Sequence, residues 1–140
     1  MMHSVRSLHH VAVVVEDLAA SVEWYGRNLG FRRHYDFELP GARASMIVRG
    51  DARLELYQVE GAVETDPGRR DVATVLRSTG INHLALLVED LDAVVEDLQA
   101  RAVEVAIHPT LMPNASGDRF AFIRDNEGAL VELFEPAAVA

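Results

Sequence analysis

The strongest constraint on this chain is that it repeats itself. His10-Val-Ala-Val-Val-Val15-Glu-Asp-Leu18 returns as His83-Leu-Ala-Leu-Leu-Val88-Glu-Asp-Leu91, an offset of 73 positions. The ends of the two halves match as well. Arg49-Gly50-Asp51 followed by Leu54-Glu55-Leu56 resembles Asn126-Glu127-Gly128 followed by Val131-Glu132-Leu133, at an offset of 77. The change of offset means that one half carries a small insertion. Two copies of one module make a closed pair, not a solenoid, which needs three or more stacked repeats.

Each half reads in the same order. His10–Val15 is an apolar strand, and Asp17 is placed to cap a helix that runs to about Leu29. Leu18, Val22, Tyr25 and Leu29 form the helix's apolar stripe, and Gly30 stops it. Phe31–Phe37, Ala44–Arg49 and Arg53–Val59 follow as strands, the last two joined by the Gly50-Asp51 turn. The second half gives strand Ile81–Val88, a helix capped by Asp90 or Asp92 and running to about Arg101, then strands Val103–His108, Arg119–Arg124 and Ala129–Glu135. The expected class is α+β: two tandem βαβββ modules, residues 7–60 and 81–136, building a curved mixed sheet around a cavity. Residues 61–80 read as a linker with one helical turn around Val72–Arg77, and residues 109–118 as a loop.

Composition removes much chemistry. The chain of 140 residues has no cysteine, and all 13 basic residues are arginine. Disulfides, thiolate nucleophiles, Cys-bound metals and lysine Schiff bases are therefore excluded. A net charge of −9 argues against nucleic-acid binding. The apolar runs suit strands and are far too short to cross a bilayer. Met1–His10 lacks the apolar core of an export signal, so the expectation is a soluble cytoplasmic protein.

Six histidines remain among 22 acids. His10 and His83 begin equivalent strands. Glu55 and Glu132 each sit between aliphatic residues on equivalent last strands, so their carboxylates face away from the side those aliphatics bury. The pseudo-symmetry predicts that two imidazoles and two carboxylates meet, a set suited to a divalent ion with positions left open for water or substrate. His9, adjacent to His10, is expected on the opposite face with a structural role, and His34 and His108 at the surface.

These residues resemble the vicinal oxygen chelate superfamily, which includes glyoxalase I, epimerases, extradiol dioxygenases and bleomycin-binding proteins. The resemblance spans residues 7–135 and is carried by Leu8-His9-His10-Val11-Ala12-Val13, Glu23-Trp24-Tyr25-Gly26-Arg27-Asn28-Leu29-Gly30-Phe31, Gly80-Ile81-Asn82-His83-Leu84-Ala85, and the Asp125-to-Leu133 ending. It implies paired βαβββ modules enclosing a metal-centred cavity. It also implies a divalent ion (Ni, Zn, Co, Mn or Fe) on His10, Glu55, His83 and Glu132, most like the glyoxalase I branch. Glu132 or Glu55 would then be the catalytic base, and Arg119, Phe122, Met46, Tyr57 and Met112 would line the cavity. The implied activity is Lewis-acid-assisted proton transfer on a small α-oxygenated carbonyl substrate by an isomerase, epimerase or lyase acting as a homodimer. An Fe(II) ring-cleaving dioxygenase and a metal-free drug-binding resistance protein are the alternatives. Glutathione-using members carry an arginine where this chain has Val14, and an asparagine near Tyr57-Gln58-Val59, so a different substrate is expected.

Overall fold

The computed structural model describes residues 3–138. The chain divides into two compact units, one ending at Ala62 and the next beginning at Val63. The first contains β1 (Val11–Val14), α1 (Leu18–Leu29), β2 (Arg32–Leu39), β3 (Ala42–Arg49) and β4 (Ala52–Val59). The second contains β5 (Leu84–Leu87), α2 (Leu91–Ala100), β6 (Val105–Leu111), β7 (Arg119–Arg124) and β8 (Leu130–Glu135). The class is α+β, and the two tandem βαβββ modules are those the repeat predicts. Each module forms its own four-stranded mixed sheet, ordered β1-β4-β3-β2 and β5-β8-β7-β6. Among the described residues no helix is long and apolar enough to cross a membrane.

The pairing places the site residues. β1 runs parallel to β4, with Ala12 beside Glu55. β5 runs parallel to β8, with Ala85 beside Glu132. The other neighbours are antiparallel hairpins. One face of each sheet is covered by that module's helix. In the first unit Ile47, Leu54 and Leu56 bury against Leu18 and Tyr25; in the second, Ala121, Ile123, Val131 and Leu133 share a core with Leu91, Val95 and Leu98. Each fully buried side chain of this size stabilises the fold by about 1.5–3 kcal/mol. Strand alternation then turns the intervening residues, the two glutamates among them, to the opposite, open face.

Asp17 and Asp90 cap their helices, accepting from the amides of Ala20 and Ala93 at 3.0 and 3.1 Å. The buried stripe of α1 is Leu18, Ser21, Tyr25 and Asn28. It is therefore rotated from the expected one, and Val22 and Leu29 are only half-buried. Ser21, fully buried, offers little bulk where the helix meets the sheet.

One expectation needs correction. Pro109 suggested that a loop starts there, yet β6 continues to Leu111. It is an edge strand with irregular register, which tolerates a residue that cannot donate to the ladder. The equivalent edge strand of the first sheet, β2, carries a register shift between Arg33 and Tyr35, which contains His34. Such irregular, charged edges resist pairing with other chains.

Residues 63–80 contain, at Val75–Arg77, the helical turn expected around Val72–Arg77, and they belong to the second unit. Two 3₁₀ turns, Pro67–Arg69 and Val75–Arg77, fold them onto the second module. The Thr74 hydroxyl donates to the Gly68 carbonyl at 2.8 Å, and Arg69 donates to the carbonyls of Thr79 and Ile81. The Arg124 guanidinium reaches the carbonyls of Arg70 and Gly128.

Candidate metal centre

Each module brings one histidine against one glutamate on its open face. His10 precedes β1, and its Nε2 lies 3.7 Å from a Glu55 oxygen. His83 precedes β5, and its Nε2 lies 3.0 Å from a Glu132 oxygen. The parallel seam between first and last strand makes both contacts, because it sets Ala12 and Ala85, each two residues past its histidine, beside the carboxylates. An alanine there leaves room next to each glutamate. The structure builds two His–Glu pairs, each within one unit. Among the described residues no group of three or more His, Asp or Glu gathers around one point.

The second pair carries its own proton assignment. The Asn82 side-chain nitrogen lies 2.7 Å from the Val75 carbonyl oxygen. Only an amide NH₂ can donate there, so the Asn82 oxygen is the atom that faces His83. It stands 2.7 Å from Nδ1, which must therefore be the N–H donor. In the neutral imidazole this leaves the Nε2 lone pair aimed at Glu132. That contact, 3.0 Å long, is completed either by a second ring proton or by a cation held between the two atoms. An imidazole whose other nitrogen donates to a neighbouring oxygen is the usual arrangement of a metal-ligating histidine. The residues present thus fit a divalent ion.

The first pair is held differently. The Nδ1 atoms of His9 and His10 lie 2.8 Å apart, and the rings meet edge to face. His9 therefore does not point away from His10. Both residues precede β1, so strand alternation does not apply to them. Glu55 accepts the Tyr57 hydroxyl, and this hydrogen bond is the main reason the Tyr57 pKa is raised above its ordinary value. Module two has Phe134 at the corresponding place and no such donor.

Other expected residues fall as follows. Met46 is buried and stands opposite Glu55 in the ladder. Phe122 stands opposite Glu132 and packs edge-on against the His83 ring, with centroids 4.9 Å apart. Arg119 does not join them. Its guanidinium binds Asp92 at 2.8 and 2.9 Å and approaches Glu135 at 3.6 Å, holding the Asp92 pKa below its ordinary value. Arg119 shares the helix-covered face with Ala121 and Ile123, so it cannot line the same surface as Phe122, an odd number of residues along the strand. Met112 lies just past β6.

Sequence reasoning passed over Asn82, although it precedes His83 as His9 precedes His10. It also passed over a second repeat. The Leu18 amide donates to Gln58 at 2.9 Å, and the Leu91 amide donates to Glu135 at 2.7 Å. These acceptors sit three residues past each glutamate, at the same 77-residue offset.

A model of the Glyoxalase/Bleomycin resistance protein/Dioxygenase superfamily matches residues 7–133. The chain is 29% identical over 133 residues to the uncharacterised protein YwkD of Bacillus subtilis strain 168, covering 93% of this chain and 97% of that one. The crystal structure of SMU.1112c is similar with a TM-score of 0.75 and 27% identity, covering 94% of this chain and 100% of the other. The trypanothione-dependent glyoxalase I of Leishmania major shares the fold, with a TM-score of 0.67 and 22% identity over 94% of this chain and 87% of its own. With the repeat, the paired modules and the family match in agreement, the chain belongs to the glyoxalase/bleomycin resistance/dioxygenase superfamily.

Proposed function

We propose that this protein is a metal-dependent isomerase, epimerase or lyase that moves a proton on a small α-oxygenated carbonyl compound. His10, Glu55, His83 and Glu132 serve as ligands of a divalent ion. The observation that carries this reading is the repeated His Nε2–Glu pairing, with the Nδ1 proton of His83 committed elsewhere. A bound divalent ion supplies Lewis acidity to the substrate oxygens, which makes the neighbouring C–H more acidic.

The chain's own groups do the rest. Glu55 and Glu132 are the carboxylates placed to accept the proton, and each faces a histidine on its module's open face. Tyr57 donates to Glu55 and so fixes that carboxylate's orientation. Phe122, opposite Glu132 in its ladder, supplies apolar contact to the substrate, while the buried Met46 backs Glu55. Val14 and Leu87, 57% and 75% exposed on the open faces, support pairing of two copies of the chain.

The test is metal binding by the purified protein, followed by Glu55→Gln and Glu132→Gln. Wild type is expected to bind a divalent ion, and each variant to lose more than the ~10–100-fold in affinity typical of losing an outer-shell contact. Proton exchange at the substrate α-carbon should fall with it. Wild type that binds no divalent ion, or a Glu55→Gln variant that binds as wild type does, overturns the reading. Oxygen uptake with a catechol, abolished by chelation, would replace it with ring-cleaving oxygenation.

A further inference from the structure

We infer that Asn82 is a positioning residue that selects Nε2 of His83 as the ligating atom, and that the folded segment 63–80 holds Asn82 in that role through the Val75 carbonyl. The inference deepens the metal-centre reading and rests on it for its consequence, though not for its geometry.

An asparagine amide can turn over and exchange its oxygen and nitrogen. Turned over, it would donate to His83 Nδ1, which would move the ring proton to Nε2 and block that atom as a ligand. In the observed orientation its NH₂ donates to the Val75 carbonyl at 2.7 Å, and the opposite orientation would set two oxygens against each other there. Val75 is itself buried at a 3₁₀ turn, so its carbonyl is a fixed reference point. The turn is held in its segment by bonds at both flanks. Thr74 donates to Gly68, and Arg69 donates to Thr79 and Ile81, the last only two residues before His83. The chain thus runs Val75 carbonyl, Asn82 amide, His83 Nδ1–H, His83 Nε2 lone pair, Glu132 carboxylate.

The experiment uses the full chain and reads the ring proton directly. Long-range ¹H–¹⁵N spectra of metal-free wild type, taken at a pH where His83 is neutral, are expected to show the proton on Nδ1 and bare Nε2. A neutral ring protonated on Nε2 overturns the inference without any variant. Titration with Zn²⁺ or Ni²⁺ then compares Asn82→Ala with Asn82→Asp. Asn82→Ala removes both hydrogen bonds and should weaken binding by about 10–100-fold, the usual effect of losing a second-layer partner. Asn82→Asp keeps an acceptor for Nδ1–H and should restore most of that affinity. Both variants should make residues 63–80 more susceptible to protease, since neither can donate to Val75. Equal affinity of Asn82→Ala and wild type, with the ring proton unmoved, overturns the inference. If wild type binds neither ion while the proton sits on Nδ1 and leaves it in Asn82→Ala, the positioning role stands and the metal reading falls.

Discussion

The two modules solve one problem with unequal means. In module two the histidine is closer to its glutamate, 3.0 against 3.7 Å, and its ring nitrogen is committed to an asparagine that is itself anchored. In module one the ring faces another histidine, and nothing in that contact decides which of the two carries the proton. Its carboxylate is instead occupied by the Tyr57 hydroxyl. The difference teaches that the two modules share the positions of the His–Glu pair while the neighbours that orient it differ.

The contrast is open to breaking. The largest expected effect is on metal affinity: His9→Ala should cost less than tenfold, against the ~10–100-fold expected of Asn82→Ala. Equal losses in a Zn²⁺ titration would erase the distinction between the modules. Next come the helix starts. Glu135→Ala removes a charged acceptor from the Leu91 amide and should cost about 1.5–3 kcal/mol, whereas Gln58→Ala, losing a neutral one, should cost about 0.5–1.5 kcal/mol. Urea unfolding of the two variants ranks them.

Ala102 sharpens the comparison from the other helix end. Helix α1 stops at Gly30 with φ +73°, a left-handed backbone that glycine adopts freely. Just past α2 the same region is forced on Ala102, at φ +64°. Ala102→Gly should therefore stabilise the protein by about 0.5–1 kcal/mol in the same assay, since relief of a left-handed alanine outweighs the added chain entropy. The smallest effect belongs to Tyr57. Its raised folded pKa means its hydrogen bond to Glu55 contributes fully below the ordinary tyrosine value near ~10, and the contribution disappears as pH rises through the folded value. Tyr57→Phe, which gives module one the phenylalanine of module two, should lose that alkaline decline in a melting series.

Much of this was legible in the residues. The repeat located both modules, the Asp17 cap and the two His–Glu pairs, because strand alternation and helical spacing are written directly in the order of apolar residues. Arg119 was misread although the same alternation set it opposite in parity to Phe122. The roles of Asn82 and Val75 were not legible, since they depend on how residues 63–80 fold, and that segment carries no periodic pattern. The stripe of α1 was also misjudged, because a buried serine and asparagine look polar in sequence even where packing demands only small volume or a particular shape.

The parallel seams have a consequence for assembly. Each histidine and its glutamate come from the first and last strands of a module, 49 residues apart in the second. No contact between neighbours in sequence can create such a pair, so it exists only once the intervening helix and hairpins have taken their places. An ion bound by these residues, as proposed, would act as a clasp on finished modules. It would favour the finished module over every partly assembled one.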